Sequence, residues 1–123
     1  MTTPFLRGLR GATTCDRDTP EHIADAVHEL LPAMMARNEL EHDDVVSVLF
    51  TTSTDLTSAF PATAARSIGF GDVPLLCASE IAVPGSMTRC IRVLMHVYTA
   101  RARDEMHHVY LRDAASLRDD LPG

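Results

Sequence analysis

Lysine is absent from this chain: all 11 of its basic residues are arginine. Codon usage in a GC-rich genome would account for that. Arginine's planar fork also suits carboxylate recognition better than an ammonium does, so the two accounts are compatible. The arginines form no basic run and the net charge is −6, so the electrostatic footprint of a nucleic-acid-binding protein is missing. An anion site here must be made locally, by arginines that the fold brings together. No apolar run approaches the ~20 residues of a membrane span. Met1 to Phe5 lack the charged-then-apolar layout of a secretory signal. The three cysteines, Cys15, Cys77 and Cys90, are odd in number and unrelated in spacing. That excludes a disulfide framework and a cysteine-based zinc site, and it fits a reducing cytoplasm. Internal repeats, linkers and low-complexity segments are also lacking.

What is present reads as one domain over residues 1–123, with about 112–123 as a mobile polar tail. Phe5 to Thr13 alternates like a strand, with Leu6, Gly8, Arg10 and Ala12 on one face. Gly8 and Gly11 would weaken it unless a ligand, a subunit or a bulge needs the space. The glycine spacing does not match a dinucleotide-binding turn, and no helix follows directly. Thr19-Pro20-Glu21 is a helix start: a cap, a proline in the first turn and an acidic residue for the dipole. Ile23, Val27, Leu30, Leu31 and Met34 recur at helical spacing to about Asn38, and Pro32 should kink or split the helix. Val45 to Thr52 is a β-branched strand. Pro61 to Gly69 is a short helix with Arg66 near its end, and Val73 to Glu80 a further strand. Met106 to Leu111 is a last short strand. His22, His28 and His42 form no ligand pair and read as surface residues. His107 and His108 point to opposite faces and make a poor metal clamp.

The strand Arg89 to Tyr98 stands apart. Ile91, Val93, Met95 and Val97 make one wholly apolar face; Cys90, Arg92, Leu94 and His96 make the other. A guanidinium in the middle of such a strand calls for an anionic partner. That partner is either another side chain, as a structural ion pair, or a ligand. Five strands and two helices predict an α+β fold, a single mixed five-stranded β-sheet with one long and one short helix on one face. The face that carries Arg92 then needs cover, which a symmetric oligomer would supply.

Several stretches together resemble a known family. They are Arg7 to Thr14, Asp55-Leu56 with Ala59-Phe60-Pro61-Ala62, Val73-Pro74, Cys90-Ile91-Arg92-Val93 and His108-Val109-Tyr110-Leu111. They look like the monofunctional chorismate mutases of the trimeric, mixed α/β class, not the all-helical class, from about residue 6 to residue 121. The resemblance implies a pseudo-α/β-barrel homotrimer with its sites in the clefts between subunits. It implies conversion of chorismate to prephenate in aromatic amino-acid biosynthesis, with no metal, no cofactor and no covalent intermediate. It implies catalytic roles for Arg10, Glu80 and Arg92. Substrate contacts would come from Tyr110, Phe60, Ala62, Arg66, Leu75, Leu76, Cys77, Leu117 and Arg118. Thr63 stands where some members carry lysine, and Leu76 where some carry threonine. Two rivals remain: an imine deaminase-like trimer, and a non-enzymatic trimer that binds metabolites.

Overall fold

The structure is a computed structural model and describes residues 3–118. The long helix begins where Thr19-Pro20 directs. The Thr19 hydroxyl accepts from the His22 backbone N–H at 3.1 Å, and α1 runs over Pro20–Arg37. It is continuous through Pro32 rather than split there. Pro32 lies on the exposed side of α1, where the carbonyl left without a donor can turn to solvent. Ile23, Val27, Leu30, Leu31 and Met34 make its buried stripe.

Five strands form one mixed sheet: β1 (Phe5–Thr14), β2 (Val45–Thr52), β3 (Leu75–Ser79), β4 (Cys90–Thr99) and β5 (Val109–Tyr110). Their spatial order is β3-β2-β4-β1-β5. The two longest strands pair antiparallel at the centre, and β2 is antiparallel to β4. The β2–β3 and β1–β5 pairs are parallel. The short helix α2 (Pro61–Ala65) continues into a wide turn over Arg66–Phe70, where Gly69 takes φ +106° and ends the helical path. Helices cover one face, and Leu9, Phe50, Ile91, Val93, Met95 and Val97 pack beneath them. The opposite face of the sheet is open in the single chain. Among the described residues, no helix is long and apolar enough to cross a membrane.

Two expectations shift. The last strand is only Val109–Tyr110, because residues 103–105 form a 3-10 turn and Met106 turns into the core. Buried Asn38 fixes the segment between: its side chain bonds both the N–H and the carbonyl of His107, at 2.8 and 2.9 Å. The polar tail also begins in an ordered way. Arg112–Arg118 is a 3-10 helix with Ala114 fully buried. Arg112 anchors it, donating to the Thr14 carbonyl at 2.9 Å and to Glu29 at 3.1 Å. Residues 119–123, the rest of that tail, lie outside the described residues.

Gly11 shows why β1 is rich in glycine. A Cβ there would overlap the Met34 sulfur and sit 3.3 Å from Leu30 Cδ1. The close neighbour is α1 itself, and the glycine lets the helix settle onto the sheet. Met34 is flexible, so a single methyl can be partly absorbed. Two further carbons cannot. Gly11→Val is expected to cost about 1–3 kcal/mol by overpacking. Chemical denaturation checks this through a lower midpoint at unchanged slope.

Candidate active site

Register carries five residues into one row across the open face. Thr51 pairs with Ala78 on one side and Arg92 on the other; Ala12 pairs with Arg92 and with Tyr110. Paired residues in neighbouring strands point the same way. The row therefore reads Ala78, Thr51, Arg92, Ala12, Tyr110. The adjacent row reads Leu76, Leu49, Leu94, Arg10 by the same pairings. Over these rows lies a cavity of about 290 Å³, lined by Arg10, Leu49, Thr51, Glu80, Arg92 and Tyr110 among others. Four residues that the sequence marks from four separate segments, Arg10, Glu80, Arg92 and Tyr110, thus meet at one place.

Arg92 differs from its first reading. Cys90 on the same face is buried, but the Arg92 side chain is 47% exposed on the open face. Its partner within the chain is Glu80, whose carboxylate oxygen lies 3.9 Å from Nε. That is charge proximity rather than a hydrogen bond, and it leaves the guanidinium's other donors available. Glu80 follows β3, and its N–H donates to the Thr52 carbonyl at 2.8 Å, extending the ladder by one residue. The Thr51 hydroxyl donates to the same Glu80 oxygen that faces Arg92. Glu80 therefore stands beside Arg92. Among the described residues the Arg10 side chain has no ion-pair partner. Its backbone N–H donates to His108 Nδ1 at 3.0 Å. Burial pushes the Cys90 thiol up, against the pull of the Arg92 guanidinium, and pushes Cys15 up to about 11. Neither thiol is a ready nucleophile.

The sequence did not show how these strands are aimed, although Asp55 stood in one of its motifs. Asp55 accepts twice from the Arg89 N–H, at 2.9 and 3.1 Å, and the Ser53 hydroxyl accepts from the Cys90 N–H at 2.9 Å. Together they hold Arg89 at φ +46° and launch β4 towards Arg92. Asp18 similarly gathers the backbone and hydroxyls of Thr57 and Ser58. Those bonds hold its carboxyl below the usual range, the Ser58 hydroxyl most of all. A polar loop in a sequence does not reveal such pairings, since the partners are 34 or more positions apart. His28 is likewise no plain surface residue: its Nε2 lies 2.9 Å from the Ser67 hydroxyl and 3.0 Å from the Ala64 carbonyl, tying α1 to α2.

The other site candidates gather elsewhere. Phe60, 70% exposed, and Cys77 line a second cavity of about 400 Å³ beside β3, on the sheet edge away from β5. Cys77 is opposite Phe50 in register and so faces the helix side. Leu75 shares that side, whereas Leu76 projects from the open face and is 64% exposed. The Ala62 side chain is packed in the core. Arg66 closes α2 and is exposed. Leu117 is half-buried on the last 3-10 helix; Arg118 ends it, and its side chain lies outside what is described. In one chain, Phe60 and Cys77 therefore line a different cavity from Arg10, Glu80, Arg92 and Tyr110.

Comparisons with known proteins agree on one family. The sequence model of the family described as "Chorismate mutase type I" matches residues 6–121. The chain is 51% identical to "Chorismate mutase AroH" of Thermus thermophilus over 118 residues, covering 95% of this chain and 97% of that protein. It is 42% identical to the protein of the same name from Bacillus subtilis (strain 168), covering 95% and 93%. Among solved structures, "Chorismate mutase from Clostridium thermocellum Cth-682" superposes with a TM-score of 0.87 at 44% identity, over 89% of this chain and 98% of that one.

Proposed function

This chain belongs to the type I chorismate mutases and converts chorismate to prephenate, and from that premise we propose which of its residues do the work. One observation carries the reading: Arg10, Glu80, Arg92 and Tyr110 line a single cavity on the open sheet face. The reaction is a Claisen rearrangement within one molecule. Its substrate is a dicarboxylate with an enolpyruvyl ether and a ring hydroxyl. A compact chair must be held for the bond to form, and holding it removes part of the entropic barrier. As the C–O bond breaks, negative charge grows on the ether oxygen. A cation fixed there stabilises the transition state more than the ground state.

Arg92 takes that position in our reading, donating to the ether oxygen and to a carboxylate. Arg10 and Tyr110 hold the enolpyruvyl carboxylate. Glu80 accepts from the ring hydroxyl. Phe60, Ala62, Leu75, Leu76, Cys77 and Leu117 form the wall that excludes water, Ala62 and Leu76 through their backbone. Arg66 and Arg118 supply outer positive charge for capture. Thr63 contributes no charge where some relatives carry lysine.

The proposal includes a homotrimer. Phe60, Leu75, Leu76 and Cys77 of that wall stand on or beside β3, and Phe60 and Cys77 line a cavity apart from the arginine cavity, whereas Leu117 follows β5 at the other side of the sheet. A neighbouring copy that lays its β3 edge over the open face would complete each site and cover exposed Leu6, Leu76 and Tyr98. A cytoplasmic location accompanies it, consistent with three free thiols. The deaminase-like and non-catalytic readings give way to the family assignment.

The purified protein is expected to consume chorismate without added metal, read as loss of its ultraviolet absorbance and appearance of prephenate. No turnover at high enzyme concentration would overturn the proposal.

A further inference from the structure

Thr51 is absent from every role assigned so far, yet it lies at the centre of the site. It occupies the row position between Ala78 and Arg92. Its hydroxyl donates to Glu80 Oε2, the oxygen that also lies 3.9 Å from Arg92 Nε. The Glu80 side chain is 38% exposed and leaves the end of β3. Without a tether it would sample several rotamers, since its backbone alone does not fix the carboxylate. Among the described residues, Thr51 is the only side chain that hydrogen-bonds that carboxylate.

We propose that Thr51 is a positioning residue for the mutase reaction, using its hydroxyl to lock Glu80 Oε2 towards Arg92 and leave Oε1 for the substrate's ring hydroxyl. The inference rests on the function proposed above. A hydroxyl has one proton to give; here it goes to Glu80. The strand supplies the rigidity. Thr51 sits on β2 with β3 and β4 on either side, and a β-branched residue is stiff about χ1 in such a setting. A site group fixed by a second residue on a rigid element meets its ligand at lower entropic cost. The open face carries several apolar side chains at the equivalent row positions, including Leu49 and Leu94. A hydroxyl is therefore not what packing alone requires at position 51.

The test compares Thr51→Val, Thr51→Ser and Thr51→Ala in steady-state turnover of chorismate, with wild type in the same assay. Valine keeps the shape and the strand propensity and removes only the donor. Thr51→Val is expected to lose roughly ten- to a hundred-and-fiftyfold in kcat/KM, the size of one lost hydrogen bond to a charged group. Thr51→Ser should recover most of that loss. The thermal midpoint of each variant is measured alongside, and Thr51→Ala replaces Thr51→Val if the valine variant does not fold. The decisive arm repeats the substitution in a Glu80→Ala background. There it should have little further effect, because the group that it positions is gone. Additive losses in that background would assign Thr51 to packing and overturn the inference. So would wild-type activity in Thr51→Val. In both cases the wild type turns over chorismate, so the function stands while the inference falls. A wild type without turnover would overturn both.

Discussion

Arg92→Ala is expected to lower kcat by roughly a hundred- to a thousandfold while the protein stays folded. The size comes from the value of one pre-placed donor at a site of developing charge, about 3–4 kcal/mol. Two features of the structure separate catalysis from stability here. Arg92 is 47% exposed and its partner Glu80 38%. A pair 3.9 Å apart and that open to water contributes little to folding once solvent screening is counted. The apolar side of β4, with Ile91, Val93, Met95 and Val97, is untouched by the change. The thermal midpoint should therefore hardly move. The kinetic pattern carries the rest. If Arg92 meets the ether oxygen only as the bond breaks, kcat and kcat/KM fall together. A variant that raises KM and keeps kcat would place Arg92 in ground-state binding. Arg92→Lys separates charge from geometry. An ammonium keeps the charge and loses the fork, so it should recover only part of the rate.

What the sequence could say about Arg92 was its conflict with its surroundings. An apolar alternation with one guanidinium marks a strand and a needed anion. It does not say which side of the sheet lies under helices, because that depends on how α1 packs. The elements with strong local signals are the ones found as expected. Thr19-Pro20 starts α1 and Val45–Thr52 forms β2. Elements set by distant contacts were less legible. Asn38 holds His107 from 69 positions away and leaves β5 only two residues long. Arg112 grips Thr14 across 98 positions and orders the start of the tail. Pro32 does not split α1: tertiary packing of the buried stripe outweighs one lost backbone bond. At the site, residue types with chemistry of their own were visible through their motifs. Thr51 was not, since a threonine in a strand looks ordinary until its partner is placed; Asp55 stood in a motif, but its bonds to Arg89 were not legible.

The strongest test of the proposed homotrimer is to make two dead proteins and combine them. Arg92→Ala destroys the arginine half of a site. In the proposed site, Phe60→Glu would damage the wall half by putting a carboxylate beside a dianionic substrate. Phe60 is 70% exposed in the single chain, so the charge is tolerable there until another surface covers it. Each variant alone should show only a small fraction of wild-type turnover. When the two are unfolded together and refolded as mixed oligomers, some clefts join an intact arginine half to an intact wall half. For random assortment in a closed ring, that happens at about one cleft in four, so the mixture should regain about a quarter of wild-type activity. The number follows from two independent choices of one in two and does not depend on how active each intact site is. Mixing without refolding is the control, and it should regain activity only as fast as subunits exchange. A refolded mixture that stays as inactive as its parents would place both halves in one chain. The separation of Phe60 and Cys77 from the arginine cavity in the single chain argues for the quarter.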